Sequence, residues 1–556
     1  MFIRIARQRR GDKEYKSLQI AESYRDSEKG GAPRTRVLAH LGTLESLGEK
    51  QIEKLIAGLQ RVIGKEVSEE AIGELLVAKD FGHVYAVCET WNRLGLAEVL
   101  SRCDLSGEAT FPAADLVRVM VVNRVCDPCS KLALLDWLDG VHFPGYEETR
   151  PSYHHLLRAM DRLIAIKERA EPAIAKRFLS MFDTHVDLVF YDITSTYFEG
   201  DRSIVEEDIR RYGYSRDGRF DRRQVTIGVV MTRDGIPLCH HVFPGNTVDK
   251  TTVAAVVKDL KKKRFALSRV IFVGDRGMLS DENLETILNE DFGFIVAHPL
   301  RHSTVATEVV EDLWRKFDRA SEAEQFLDDV RTSLRFVLAY SPEIAREVRE
   351  ERTRRLRRAD TFIKECLHRF TNPSSRGRKP TPQGTYDRIR DFLRDHNLLS
   401  LYEVDLRNDE VIVAADKKTR AWEDKIDGML LLETTDLESK PEDVVRRYKE
   451  LAEIERGWRA LKSSLMLRPV YHWTEERIKA HIFLCVLALQ IERLMRNRLQ
   501  SVSVRKAIDR LRQIKAGEMK INGVKTRTLT RTTEEQQNLF KFLDVPAPRM
   551  LRAESL

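Results

Sequence analysis

The chain has 556 residues, of which 42% are hydrophobic and 33% charged, and its formal net charge is +7. This length exceeds the usual limit for one hydrophobic core, so two to four domains are expected. The longest apolar run, residues 482–489, is too short to span a bilayer, and the seven scattered cysteines argue against a disulfide framework.

The predicted elements change character along the chain. A β-rich region with exposed basic residues comes first, and it is typical either of a small nucleic-acid-binding sheet or of a structural β-cap. Apolar residues at helical spacing follow and predict a helical domain. Three strands, a helix, a strand, a helix and a strand come next, which is the element order of a ribonuclease H-like mixed sheet, so the predicted fold class is α/β.

Beyond this core we expect an insertion that contains β-strands, then a helical second part of the core, then a basic C-terminal region. In chain order, the six predicted segments are 1–45, 46–183, 184–300, 301–440, 441–500 and 501–556.

Three acidic residues lie on hydrophobic elements that would bring them to one edge of the core sheet. Asp192 follows the apolar run 188–191, Asp275 follows the run 270–274, and Glu455 lies on an amphipathic helix. Hard divalent cations prefer oxygen ligands, and a two-metal phosphoryl-transfer site needs carboxylates in such an arrangement. Each carboxylate alone is equally typical of a strand cap, but together they predict an enzyme that cuts and joins DNA.

The helix predicted around Glu455 supports this interpretation. Tyr448, Leu451, Glu455, Arg459 and Lys462 recur at spacings of three and four residues and so form one stripe. An adjoining apolar stripe would pack on the sheet and leave Glu455 at the margin of the buried face. The alternative is a surface helix in which Glu455 and Arg459 form an ordinary pair worth roughly 0.2–0.5 kcal/mol.

These motifs resemble those of bacterial insertion-sequence transposases with a DDE catalytic triad. Tyr448, Glu455 and Lys462 fall in register with the signature of the YREK cut-and-paste group, whereas Leu451 stands where the signature has Arg. Arg459, one turn from Glu455, is the residue that would supply this charge. Further segments that are similar to the family are 191–195, 244–247, 274–277 and 467–473, followed by Arg477 and His481.

The resemblance implies a ribonuclease H-like transposase in which Asp192, Asp275 and Glu455 are catalytic and bind the metal. It implies two Mg²⁺ ions, for which Mn²⁺ can substitute, and a metal-activated water that attacks the transposon end before the freed 3′-OH attacks target DNA. The expected partners are double-stranded DNA with terminal inverted repeats, target DNA and a second copy of the chain in the DNA complex, without a membrane. The expected location is the bacterial cytoplasm, in association with the nucleoid.

The same resemblance implies residues that contact DNA, namely Tyr448, Arg459, Lys462, Arg276 and Trp422. Trp422 is the candidate for stacking a base that is flipped from a hairpin end, an interaction on the order of 1–3 kcal/mol. Packing in the hydrophobic core is the alternative role for this side chain.

Two other functions stay open at the level of sequence. A catalytically silent DNA-binding regulator would account for Leu451 at the signature position. A ribonuclease H-like nuclease without strand transfer would share the three carboxylates, and the residues do not distinguish it from a transposase.

A zinc site is not expected. Cys126 and Cys129 have CxxC spacing but no second pair, and no histidine has ligand spacing beside a cysteine. His240 and His241 alternate across a predicted strand, so they cannot face the same metal ion.

Overall fold

The computed structural model describes residues 2–10, 13–25, 33–43, 47–62, 74–105, 112–146, 150–182, 188–199, 208–263, 271–274, 280–318, 320–331, 334–373, 379–521 and 524–549. The chain divides into two compact units. The first comprises Met1–Thr90, Leu132–Arg150 and Arg498–Leu556, and the second comprises Trp91–Lys131 and Pro151–Asn497.

The strands, numbered in chain order, are β1 (Phe2–Arg10), β2 (Lys13–Arg25), β3 (Pro33–Thr43), β4 (Glu74–Asp80), β5 (Leu188–Tyr197), β6 (Gln224–Met231), β7 (Pro237–Pro244), β8 (Ile271–Gly274), β9 (Gly293–Ala297), β10 (Gln325–Arg331), β11 (Leu334–Tyr340), β12 (Tyr402–Arg407), β13 (Glu410–Ala415), β14 (Met429–Thr434), β15 (Lys515–Ile521) and β16 (Val524–Leu529).

The α-helices are α1 (Glu49–Val62), α2 (Gly82–Leu94), α3 (Leu96–Leu100), α4 (Ala113–Cys126), α5 (Ala133–Gly140), α6 (Tyr153–Ala165), α7 (Lys167–Phe182), α8 (Val253–Lys263), α9 (Asp281–Asn289), α10 (Thr304–Trp314), α11 (Pro342–Thr371), α12 (Pro382–Asp395), α13 (Lys417–Ile426), α14 (Pro441–Lys449), α15 (Leu451–Lys462), α16 (Glu475–Leu499), α17 (Val504–Leu511) and α18 (Glu534–Phe542). None of the helices in the described ranges combines the length and the apolar character that a membrane span requires.

The N-terminal sheet of the first unit confirms the predicted β-strands and extends them. β1, β2 and β3 pair antiparallel in chain order. The Arg4 guanidinium donates a hydrogen bond of 3.0 Å to the buried Gln19 side chain opposite it. At least one basic residue of this sheet is therefore bound to the sheet itself.

A second sheet of this unit corrects the prediction that segment 46–183 is a helical domain, and it adds strands to the basic C-terminal region. β4 pairs antiparallel with β15, which pairs with β16. The sequences of β15 and β16 are KAGEMKI and VKTRTL. Their many charged and polar residues obscure the alternation of apolar and polar residues that predicts a strand. A turn signal was nevertheless available, because Asn522-Gly523 separates the two strands and this dipeptide favours hairpins.

The second unit is built on an eight-stranded sheet with the order β10-β11-β14-β9-β8-β5-β6-β7. β5, β6 and β7 form an antiparallel meander, and β8 and β9 lie parallel to β5 on its other side. This arrangement is the ribonuclease H-like topology that the element order predicted. The fold is α/β with a mixed sheet at its centre.

Helices cover both faces of the central strands, so these strands are hydrophobic along nearly their whole length. Every residue of β6 is buried, and β5 is buried except at Asp192 and Tyr197. The ring of Tyr191 lies across Gly228, where a Cβ would come within 2.5 Å of the Tyr191 hydroxyl. That hydroxyl donates a hydrogen bond of 2.8 Å to Thr252, which fixes the ring beside α8.

The inserted segment extends the same sheet. β14 pairs antiparallel with β9, and β11 and β10 follow it outward. The β-strands expected in this segment are present: β11, β12, β13 and β14 lie in it, together with β10, whose apolar pattern is interrupted by Asp328 and Asp329. A separate hydrophobic cluster, which includes Ile363, Ile389 and Tyr402, joins α11 and α12 to the β12–β13 hairpin.

The helix predicted as continuous around Glu455 is divided at Glu450 into α14 and α15. The N–H of Glu453 donates to the carbonyl of Glu450 at 2.9 Å, and this i→i−3 bond tightens the turn at the junction. The Glu450 carboxylate lies 2.5 Å from Arg233, in the turn after β6. The stripe predicted from residue spacing is therefore interrupted between Tyr448 and Glu455.

Candidate active site

Asp192 lies within β5 and is only partly buried, in contrast to its neighbours. Its Oδ2 accepts a hydrogen bond of 2.9 Å from the indole N–H of Trp458, and its Oδ1 accepts one of 2.7 Å from the backbone N–H of Ile193. Trp458 is a buried residue of α15. Its hydrogen bond fixes α15 against the strand that carries the predicted catalytic aspartate.

α15 can lie close to the sheet because one of its residues has no side chain. Ile454, Trp458 and Leu461 belong to its buried face, together with Gly457. A Cβ on Gly457 would lie 3.3 Å from the side chain of Met231 at the end of β6, which is tighter than ordinary contact. Glycine thus allows the approach that the Trp458 hydrogen bond requires.

Glu455 lies one turn before Trp458 on α15, and its side chain is exposed. Residues three apart on a helix are neighbours, with Cβ atoms about 5–6 Å apart. Among the described residues Glu455 has no hydrogen-bond or ion-pair partner, so the ordinary pair with the exposed Arg459 is not formed. Its carboxylate is therefore available to a ligand.

Asp275 and Arg276 lie outside the described residues. β8 ends at Gly274, which is the register partner of Tyr191 on the parallel strand β5. The next residues in the chain after these two partners are Asp275 and Asp192. A site that combines both aspartates stays a prediction.

Lys462, at the C-terminal end of α15, is held by an internal carboxylate. Its Nζ lies 3.0 Å from Oδ1 of Asp217, and Arg468 lies 2.6 Å from the other oxygen of the same group. Burial lowers the pKa of Lys462, and Asp217 opposes this shift. Two basic side chains thus share one anion, which occupies the position where a DNA phosphate was predicted to bind Lys462.

The loop that carries Asp217, residues 208–223, was not identified as functional from the sequence. Gln224 is buried, and its Nε2 donates to the carbonyl oxygens of Tyr214 at 2.8 Å and Gly245 at 3.0 Å. A Cβ on Gly213 or on Gly245 would overlap the facing backbone. The Pro-Gly motif after β7 therefore anchors this loop as well as ending the strand.

The two aromatic residues predicted to contact DNA have different environments. Tyr448 is half-buried on α14. The indole N–H of Trp422 donates a hydrogen bond of 3.1 Å to the Leu300 carbonyl, and the ring packs against the hydrophobic cluster of α10, β11 and β14. These contacts favour the core alternative for Trp422.

A further group of potential metal ligands lies on β7 and α8. The ligand atoms of Cys239, His241 and Asp259 lie within 4.8 Å of one another. The prediction that no histidine has ligand spacing beside a cysteine is therefore wrong, because two residues separated by one position share a face of a strand. Lys263 lies 2.8 Å from Asp259, and burial raises the pKa of the Cys239 thiol. Only Asp259 of this group offers the kind of oxygen ligand that Mg²⁺ prefers.

Two family models match the chain. One is described as IS1634 family transposase, N-terminal domain, and matches residues 3–70; the other is described as Transposase DDE domain and matches residues 187–491, more than half of the chain. The chain belongs to the DDE transposase family. The resemblance to insertion-sequence DDE transposases is confirmed, and the protein is a transposase whose family depends on divalent metal ions.

Comparisons with solved structures and with curated proteins give no further information on function. The solved structure of the Mos1 transposase paired-end complex with left transposon end shares 14% identity and covers 44% of this transposase and 77% of that chain, with a TM-score of 0.15. Such a likeness carries no argument about the fold, which follows from the sheet topology. No curated protein matches this transposase.

Proposed function

We propose that this transposase cleaves DNA at transposon ends by two-metal phosphoryl transfer and joins the freed 3′-OH to target DNA. Asp192, Asp275 and Glu455 are the proposed metal ligands and catalytic residues. The observation that carries the proposal is the hydrogen bond between Trp458 and Asp192, which are 266 positions apart in the chain. It sets the helix that bears Glu455 against the strand that bears Asp192.

The proposed donor set fits Mg²⁺, with Mn²⁺ as a substitute, because it consists of hard carboxylate oxygens. When bound, two such ions would activate the attacking oxygen and stabilise the leaving one. The chain itself orients one ligand: Trp458 donates to one oxygen of Asp192 and so limits rotation of that carboxylate. Glu455 is exposed and therefore accessible to DNA and metal ions.

The proposed partners are double-stranded DNA with terminal inverted repeats and target DNA, and a homodimer would pair two ends in the DNA complex. The exposed Arg459 beside Glu455 and the cations Lys462 and Arg468 favour binding of a phosphate backbone. The six segments predicted from the sequence remain the proposed domain organisation, except that β4 of the second segment shares a sheet with β15 and β16 of the last one. In this organisation, the N-terminal sheet, which lies within the region matched by the IS1634 model, is a DNA-binding region.

The test uses the purified full-length chain, Mg²⁺ and a duplex that carries the inverted repeat flanking the gene. Asp192→Asn and Glu455→Gln should each reduce cleavage by about 10³-fold, because several kcal/mol of transition-state stabilisation are lost. Binding of the duplex should be retained. Glu442→Gln is the matched control, since Glu442 is an exposed glutamate on the adjacent helix α14 and should be replaceable without loss of cleavage.

Cleavage by either purified site variant at the wild-type rate would contradict the assignment of these carboxylates. Binding without cleavage by the unmodified protein would favour the silent regulator. Cleavage without any joined product would favour the nuclease.

A further inference from the structure

A small cavity in the second unit is lined by basic side chains and, among the described residues, by no acidic one. Its walls come from the end of α4, the loop after α15 and the start of α16. The volume is about 40 Å³. At about 10–15 Å³ for each water molecule, this space suits a few waters or one phosphoryl group. The lining residues used below are Arg124, Cys129, Lys131, Arg468, His472 and His481.

Lys131 is the most unusual of these residues. It is only 4% exposed and lines the cavity. Within the described ranges its ammonium group has neither a hydrogen bond nor an ion pair. Removing an ammonium group from water is costly unless a partner replaces the lost hydration, so lysines are rarely buried without one.

Arg124, also 4% exposed, adds a second positive charge without an acidic partner in the described part of the chain. Its guanidinium donates to the carbonyl oxygens of Met466 at 2.9 Å, Leu465 at 3.4 Å and Cys129 at 3.2 Å. These bonds tie α4 to the loop after α15 and so fix the shape of the cavity. Carbonyl oxygens satisfy the donors but leave the charge of Arg124 unbalanced.

The two histidines of the cavity are neutral. Burial, with Lys131 and other cations as secondary causes, lowers the pKa of His472 to about 4. Burial likewise lowers the pKa of His481, whose Nε2 lies 3.0 Å from the Leu467 carbonyl oxygen. The groups that can carry positive charge in the cavity are therefore Lys131, Arg124 and Arg468, and of these only Arg468 is paired with Asp217.

We propose that this cavity, the Lys131 pocket, binds one phosphoryl group of a nucleic-acid strand, with the ammonium group of Lys131 as its main contact. An anion would supply both the charge and the hydrogen-bond acceptors that the buried cations lack. The identity of the ligand as nucleic acid rests on the proposed function, whereas anion binding follows from the cavity alone.

Ion pairs link the pocket to the helix that bears Glu455. Arg468 on the pocket wall shares the carboxylate of Asp217 with Lys462 of α15. Lys462 is seven positions after Glu455 on the same helix, which corresponds to about 10 Å along its axis. The proposed function therefore makes a DNA strand the ligand that we expect in the Lys131 pocket.

The test measures duplex binding by the full-length chain over a series of salt concentrations, without Mg²⁺ so that no cleavage occurs. Lys131→Met should make the slope of log K against log[salt] shallower by about 0.9, the value for one phosphate contact on duplex DNA. Lys131→Arg should restore most of the slope. Lys479→Met is the control, because Lys479 on the nearby helix α16 is already paired with Glu475 and should leave the slope unchanged.

Thermal unfolding tests anion binding by the pocket without DNA. Inorganic phosphate should raise the melting temperature of the unmodified protein by about 2–4 °C over chloride at equal ionic strength, and it should not do so for Lys131→Met. If phosphate stabilises only the unmodified protein, but the unmodified protein and Lys131→Met have the same salt dependence of DNA binding, the ligand is a small phosphate ester and not nucleic acid. If neither the melting temperature nor the salt dependence of DNA binding differs between the two proteins, the Lys131 pocket does not bind an anion. A chain that binds DNA with the expected slope but never cuts it would contradict the proposed function and leave the pocket standing.

Discussion

Two buried lysines of the second unit have opposite electrostatic surroundings. Lys263, at the end of α8, lies 2.7 Å from Glu171 and 2.8 Å from Asp259. Lys131 has no carboxylate partner in the described part of the chain, although little of either group is accessible: the Lys263 side chain is 3% exposed, and Lys131 as a whole residue is 4% exposed. The pKa of a buried lysine therefore depends on its charged partners as well as on its burial.

The pKa values of the two groups differ accordingly. Burial would lower the pKa of Lys263, but the Glu171 carboxylate more than offsets this and holds it above its ordinary value. Burial, together with the nearby charge of Arg124, lowers the pKa of Lys131 to about 7.

The paired lysine has a structural role. Glu171 accepts a hydrogen bond of 3.0 Å from the backbone N–H of His240, on β7 at the edge of the sheet. Lys167 and Lys263 neutralise this carboxylate, so the cluster protects an edge strand with charges that are balanced inside the chain. The Lys131 pocket has no such internal balance, which is the property expected of a site that receives its counter-charge from a ligand.

The largest expected effect is the loss of the paired lysine. Lys263→Met leaves Glu171 and Asp259 buried with less positive charge, so it should lower the free energy of unfolding by about 3–5 kcal/mol. Urea unfolding of the full chain measures the change, with Lys479→Met, at a partly exposed lysine paired with Glu475, as the control. A loss below about 1 kcal/mol would mean that water, rather than Lys263, compensates the two carboxylates.

The unpaired lysine should behave in the opposite way. Lys131→Met removes a buried group without a partner and should raise the free energy of unfolding by about 1–3 kcal/mol in phosphate-free buffer. The same urea titration tests this sign. If Lys131→Met instead lowers the free energy of unfolding, Lys131 stabilises the fold and its role is structural rather than ligand binding.

The pH dependence should separate the two lysines further. An unfolded lysine keeps its proton up to about pH 10.5, whereas Lys131 in the fold loses it near pH 7. Between these values the unfolded state binds more protons, so the stability of the unmodified chain should rise relative to Lys131→Met, by at most about 1.4 kcal/mol per pH unit. Relative to Lys263→Met it should stay level from about pH 7 to pH 9, because Lys263 keeps its proton in both states. Urea titrations across this range measure both differences.

The smallest effect should come from giving the pocket an internal anion. Cys129 lines the cavity and is half-buried, so Cys129→Asp would place a carboxylate beside Lys131. The expected gain in the free energy of unfolding is about 0.2–1 kcal/mol, as for a partly exposed ion pair. The stabilisation by inorganic phosphate should disappear at the same time, and its persistence would place the phosphate elsewhere. Cys129→Ser is the matched control.

The core sheet was predictable because its strands are buried on both faces. β5, β6 and β7 appear in the sequence as long apolar runs bounded by turn residues, and such runs do not depend on the rest of the chain. β15 and β16 could not be found in this way, since their alternation is obscured by lysine, arginine and threonine. The break at Glu450 depends on a contact with Arg233, which helical periodicity does not reveal.

The candidate site was predictable only in part, because contacts between residues far apart in the chain leave no local sequence pattern. The carboxylates were identified because each lies on an element with a clear apolar pattern. Trp458 as a partner of Asp192 and Asp217 as a partner of Lys462 were missed, because each pair is more than two hundred positions apart. Lys131 carried no signal at all, since a lysine in a short loop is ordinarily solvated.

The shared carboxylate of Asp217 has a consequence for how DNA is received. In the proposed DNA complex, a phosphate that binds Lys462 and Arg468 would replace an aspartate that already pairs with both cations. Binding at this point would then exchange one anion for another, and Asp217 would lose both of these cationic partners. The proposed DNA contact and the anchoring of the Asp217 side chain would therefore be coupled.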